Sequence, residues 1–223
     1  MNENDTRTSE KQKLRLRRLH LAMVAWTVSI ILTAFAWSLG LLDMSAFKLA
    51  LLVLIVLTIH LIFHIVIRSG WNLKFRDPSL TLAQILAATL VGLWVISHAD
   101  EARTILLMLF IIAIFFGVFQ LRTKEFLLVT VVAVSGYGLI VFNDFLTGAS
   151  SRTGELILLE LGGFATVMIW LSFVGSHVAE LRRKLGERNR ELKAASEHLG
   201  HLADHDELTG LPNRRRLLAQ LKL

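Results

Sequence analysis

The chain has 223 residues, 54% of them hydrophobic and 19% charged, with a formal net charge of +6. That much apolar side chain exceeds what the core of a soluble domain this size holds, so the bilayer is the expected solvent. The absence of cysteine excludes a disulfide scaffold, a thiolate metal site and thiol redox chemistry.

Residues 1–18 form a polar tail carrying Arg7, Lys11, Lys13, Arg15, Arg17 and Arg18. It is too long and charged for the start of a cleaved signal peptide, and the apolar run after it outlasts a short h-region. Apolar runs of about 18 residues or more, enough to cross a hydrocarbon core of about 30 Å, fall at 19–41, 46–68, 80–98, 103–121, 125–147 and 155–177. Loop charges test this layout independently, because Lys and Arg near crossings stay on the cytoplasmic side. With the tail inside, the inner segments before the sixth crossing carry eleven Lys and Arg, including Arg68, Lys74, Arg76, Arg122 and Lys124. The outer loops carry only Lys48, Arg103 and Arg152. The expectation is an all-α polytopic membrane protein with six transmembrane helices and both termini in the cytoplasm. Its basicity reports orientation, and no nucleic-acid partner is expected. The links between crossings are short, so a soluble ligand domain does not fit outside. The signal must be small, membrane-embedded or carried by another membrane protein.

The inner link 68–79 is the most structured. Gly70 suits the end of the second helix, and Asp77 followed by Pro78 reads as an N-cap with proline at the first helical position. Trp71 and Phe75 are expected at headgroup level with Lys74 and Arg76.

From His177 the hydropathy collapses while the helical pattern persists. Val178, Leu185, Leu192 and Leu199 hold one heptad position and Leu181, Arg188, Ala195 and Leu202 the other. An apolar seam over 178–203 predicts a cytoplasmic coiled coil, and hence a homodimer, at the end of the sixth crossing. A single amphipathic helix lying on the membrane or on its own chain is the alternative. Gly186 and Gly200 weaken the helix by about 1 kcal/mol each relative to alanine. Gly210 and Pro212 then make a turn, and Asn213 caps a new helix with Leu217, Leu218 and Leu221 on one face.

Within this last stretch, Asp206, Leu208, Thr209, Gly210, Leu211, Asn213 and Arg214 stand in the order and spacing D-x-L-T-G-L-x-N-R. The run resembles the opening of the GGDEF family of diguanylate cyclases, and Arg215 is also typical. The resemblance covers about fifteen residues, so 204–223 read as the start of a GGDEF domain. It implies a bacterial inner-membrane protein whose paired domains join two GTP into cyclic di-GMP with Mg2+. The family's metal aspartates and GGDEF loop have no counterpart before Leu223, so these residues alone are expected to lack cyclase activity. By layout, the membrane region 19–177 resembles the MASE-type sensors that precede such domains.

Ionisable groups inside crossings are costly, about 2.5 to 3.5 kcal/mol for a central Asp, Lys or Arg. His60 and His64, at spacing i, i+4, share one face of the second crossing. Together with His20 and His177 they could serve a haem or a metal, or they could simply hydrogen-bond between helices. Glu160, Asp144 and Asn143, with His98 and Asp100, fall near the outer side and could line a polar pocket for a proton, a cation or a small polar ligand. Interfacial capping is the plainer reading. Gln84 and Gln120 read as interhelical hydrogen bonds, and Gly136, Gly138, Gly162 and Gly163 as points of close helix approach. The leading expectation is a dimeric sensor that passes a signal along the coiled coil. The rivals are a redox sensor centred on His60 and His64, and a small-solute transporter or channel using Glu160 and the histidines.

Overall fold

A computed structural model describes residues 3–75, 77–117, 121–148 and 153–204, with side chains for 10–75, 77–115, 117, 121–148 and 153–197. Among the described residues the fold is all-helical, and the extended pairing is a single isolated bridge between Leu42 and Ala99. In chain order the helices are α1 (Glu3–Ser38), α2 (Ala46–Arg68), α3 (Thr81–Ile96), α4 (Arg103–Leu107), α5 (Leu109–Gly117), α6 (Thr123–Thr147) and α7 (Gly154–Asp204), with a 3-10 turn at Trp71–Lys74. The chain divides into two units, Met1–Ala179 and Glu180–Leu223.

Four helices are long and apolar enough to cross a membrane: Glu10–Ser38 of α1, α2, α6, and Gly154–Glu197 of α7. The third and fourth apolar runs of the sequence form shorter helices, Thr81–Ile96 and Arg103–Phe115. The fourth run is interrupted at Met108, where the bonds Met108 N–H to Ile105 C=O (3.1 Å) and Ile111 N–H to Met108 C=O (3.1 Å) span three residues. Such tightened turns break the regular i to i−4 ladder without any proline or glycine.

Local chemistry explains most boundaries. Ser45 caps α2, its side chain accepting the Lys48 N–H, and Gly70 follows the helix end in the left-handed conformation, φ 77°. The start of α3 corrects the expectation for Asp77 and Pro78. The helix begins at Thr81, and the Asp77 carboxylate accepts the N–H groups of Ser79 (2.9 Å) and Thr81 (2.7 Å) across a turn that contains Pro78. Aspartate can hold its own backbone a few residues on, and here that bonding displaces the cap by one turn. Trp71 and Phe75 are exposed, with the Lys74 ammonium 5.7 Å from the Trp71 ring centre, while Arg76 lies outside the described residues. The polar tail is not separate from the first crossing, because α1 is helical from Glu3.

Within the first unit, tertiary bonds align the helix ends. The fully buried Asn72 exchanges amide bonds with Gln12 and donates to Pro78 C=O (2.6 Å), and Gln12 also donates to Ile67 C=O (3.1 Å). Gln12, the end of α2 and the approach to α3 therefore share one level. At the opposite level, the Leu42–Ala99 bridge and the bond from Asp43 N–H to His98 C=O (2.8 Å) tie the end of α3 to the α1–α2 turn. α3 thus runs between the same two levels as α1 and α2.

The core gathers Ile114, Leu121, Phe126, Val129, Ala133, Tyr137 and Met168, each 2% exposed or less. α6 buries Phe126, Val129, Thr130, Ala133 and Tyr137, a three-and-four spacing that puts one stripe inward. Its other faces expose Leu139, Phe142 and Phe145. Apolar faces of this extent suit hydrocarbon and not water. α7 packs along α6 as far as Gly175, where an added Cβ would come within 2.6 Å of the Phe126 ring. The Thr130 and Ser172 hydroxyls bond each other across this contact, and Ser172 Oγ donates to Phe126 C=O (3.3 Å). Of the glycines expected at close approaches, Gly136 meets Leu93, whereas Gly138, Gly162 and Gly163 face open space and are not packing points within one chain.

In the second unit α7 carries ion pairs between exposed side chains: Lys184 with Glu180 (2.9 Å), Arg183 with Glu187 (3.0 Å) and Arg188 with Glu191 (3.1 Å). Pairs at this spacing support a solvated helix by about 0.3 to 0.5 kcal/mol each. Leu181, Leu185 and Leu192 are 46%, 66% and 68% exposed. The side chains of Leu199 and Leu202, and the whole 206–214 motif, lie outside the described residues.

Candidate functional site

Two polar groupings form in the apolar body. The first lies where α4 begins, beside the end of α6 and the first turns of α7. Arg103 is 3% exposed; its Nη2 donates to Asp144 Oδ2 at 2.7 Å and its Nε to Ala99 C=O at 2.9 Å. Beside it, Tyr137 donates its hydroxyl proton to Glu160 Oε2 (3.1 Å), and Thr104 donates to Glu160 Oε1. Arg103 Nη1 is buried without a hydrogen-bond acceptor among the described residues.

The electrostatics follow from charge and burial. A carboxylate taken into an apolar body persists as an anion only with a cation or strong donors against it. Asp144 has the guanidinium, and Glu160 has two hydroxyls. The Tyr137 ring stands edge-on to Phe164 (5.5 Å between centres), and Phe164 edge-on to Phe110 (5.4 Å). These rings form an aromatic floor under the polar groups.

The expected outer pocket is therefore divided. Asp144 and Glu160 do lie in this region, but Asp144 is engaged by Arg103 and presents no open ligand face. Asn143 is exposed. His98 is engaged locally, its Nδ1 2.9 Å from Trp94 C=O and 3.2 Å from Ser97 Oγ, its ring edge-on to Trp94 at 5.2 Å. Arg103, Tyr137 and Thr104 were not singled out by sequence reasoning, which counted Arg103 only as an outer-loop charge. The available signal was a lone arginine opening an apolar run while two acids elsewhere fell at or inside apolar runs.

The second grouping joins α1 and α2. The His20 ring lies 6.0 Å from His60, tilted by 33°, and 5.7 Å from His64, nearly parallel at 27°. Spacing i, i+4 puts His60 and His64 on one face, and α1 brings His20 against both. His177 is exposed on α7. Among the described residues no group of three or more His, Asp or Glu side chains is arranged to hold a metal ion. Gln84, expected between helices, donates instead to Ser79 C=O (2.9 Å) in the turn before α3, and Gln120 lies outside the described residues.

Compared with family models, curated proteins and solved structures, the chain matches none.

Proposed function

We propose that this chain is the membrane sensor and transmission part of a GGDEF-type diguanylate cyclase in a bacterial inner membrane, acting as a homodimer. The observation that carries the reading is the continuity of α7: a single helix covers Gly154–Asp204 and ends two residues before the Asp206–Arg214 run that resembles the GGDEF opening. A helix leading from an apolar segment into such a motif is a mechanical link, whereas a flexible linker would lose the signal. The exposed Leu181, Leu185 and Leu192 support a two-stranded seam, since apolar residues at heptad spacing in water call for a partner.

In this reading α3 and the α4–α5 pair complete six crossings with both termini cytoplasmic. The 16 residues of α3 rise about 24 Å at ~1.5 Å per residue, short of a hydrocarbon core of about 30 Å. Local thinning of the bilayer accommodates a mismatch of that size. The basic inner links support the same orientation. A ligand acts only through its preference for one packing of the membrane helices, and that preference moves the paired α7 helices between two registers. In this reading the cyclase chemistry, with its Mg2+ and GTP, belongs to the GGDEF domain that the Asp206–Arg214 run opens.

The test is a phase experiment on the protein carrying its downstream domain. Cyclic di-GMP formation from GTP and Mg2+ is measured after inserting two, four or seven residues following Glu187. Seven residues restore the seam phase and keep regulation; two or four rotate the downstream helix and change output several-fold. A protein without cyclase activity overturns the assignment of output, and equal output from all insertions overturns transmission through the helix.

A further inference from the structure

The first unit holds an apolar cavity of about 140 Å3 bounded by α1, α2, α3, α4 and α5. Along α1 its lining extends from Arg18 to Thr33, about 22 Å at ~1.5 Å per residue. A compact apolar cavity of about 150 Å3 holds one benzene ring; drawn out over this length, a similar volume suits an unbranched chain. The hydroxyls along the wall are satisfied by their own helices: Ser29 donates to Ala25 C=O (3.0 Å), Thr33 to Ser29 C=O (2.8 Å) and Thr89 to Ile85 C=O (2.9 Å). The wall therefore offers a ligand almost nothing but hydrocarbon.

The two ends differ. The far end is closed by Thr33, Ile96 and Leu106, each 3% exposed or less. At the near end stand Arg18, exposed and without a carboxylate partner among the described residues, and Gln84. Both side chains line the same cavity, and Gln84 donates to Ser79 C=O (2.9 Å) in the turn before α3, so cation and amide stand together at this mouth. A long apolar slot with a cation at its mouth matches a molecule with one hydrocarbon tail and an anionic head.

We propose that this cavity binds the acyl chain of an anionic amphiphile, with its carboxylate or phosphate at Arg18 and its tail lying between α1 and α3. The site stands independently of the output module proposed above, because it uses only residues of the first unit. An occupant here wedges α1 from α3, which makes it a candidate for the signal.

The test uses the purified full chain in detergent with a diazirine-tagged palmitate, mapping the crosslinked residues by mass spectrometry. Crosslinks are expected on α1 between Ala22 and Thr33 and on α3 near Ala88. Unlabelled palmitate should compete at least tenfold better than hexadecanol, which has the same chain and no charge. Competition by phosphatidylglycerol equal to that by palmitate identifies a bilayer lipid as the source; competition by palmitate alone identifies a free fatty acid. Ala88→Phe fills the slot and should cut labelling at least fivefold, with Ala25→Leu as the second filling variant should the first elute as aggregate. Leu61→Phe, on an exposed position outside the cavity, should leave labelling unchanged. Arg18→Gln should erase the preference for palmitate over hexadecanol. Labelling spread over the lipid-facing residues and indifferent to cavity filling, or equal competition by hexadecanol with Arg18 intact, overturns the proposal.

Discussion

The Arg103–Asp144 pair gives the sharpest test of how this fold tolerates charge. Asp144→Ala leaves a guanidinium that is 3% exposed, with Nη1 already lacking an acceptor and Nη2 deprived of its carboxylate. Opposite unit charges about 4 Å apart attract by about 4 kcal/mol at an effective dielectric of about 20, and removing one partner of a buried pair costs about 3 to 5 kcal/mol. Arg103→Met should cost a similar amount by leaving Asp144 unpaired. The double variant Arg103→Met with Asp144→Leu abandons both charges, and replacing a buried pair with apolar groups is near neutral or stabilising. The signature is thus strong non-additivity, with the double variant more stable than either single. The assay is reversible unfolding in mixed micelles with added dodecyl sulfate, followed through tryptophan fluorescence. Additive losses, or single variants within about 1 kcal/mol of the parent, would refute the claim that the pair is desolvated and coupled.

Other outcomes are open to direct measurement. Gly136→Ala should destabilise by about 1 to 3 kcal/mol through overpacking against Leu93, whereas Gly138→Ala, facing open space, should be neutral or stabilising by up to about 1 kcal/mol in the same unfolding assay. Asn72→Leu should cost about 1 to 3 kcal/mol, because it removes both bonds to Gln12 and leaves the Pro78 carbonyl without its donor in a buried joint, and hydrogen exchange at the start of α3 should rise. Tyr137→Phe removes one of the two hydroxyls that hold Glu160, and a carbodiimide probe should modify Glu160 faster in that variant than in the parent. Leu185→Cys and Leu192→Cys should each form an intermolecular disulfide in membranes on mild oxidation, while Glu187→Cys, off the seam, should not; no crosslinking at either leucine would remove the paired helix.

How much of this was legible in the sequence differs from element to element, for physical reasons. The limits of α2 were readable at 46–68 because both ends carry local chemistry, a serine cap and a left-handed glycine. The break at Met108 was not, because the tightened bonds there leave no compositional mark. Asp77 was recognised as a backbone-bonding carboxylate, yet where its bonds land depends on the turn through Pro78, which spacing alone does not define. The same division runs through the candidate site. The cost of burying charge flagged Asp144 and Glu160 as residues that need a reason, but their partners lie far away in sequence: Arg103 is 41 positions from Asp144, and Thr104 is 56 from Glu160. Hydropathy identifies which groups must be neutralised, because that follows from the solvent. Which group does the neutralising follows from how α4 is set against α6 and α7, and that is determined by packing around Tyr137 and Phe164, residues whose side chains read as ordinary membrane aromatics until the helices are assembled.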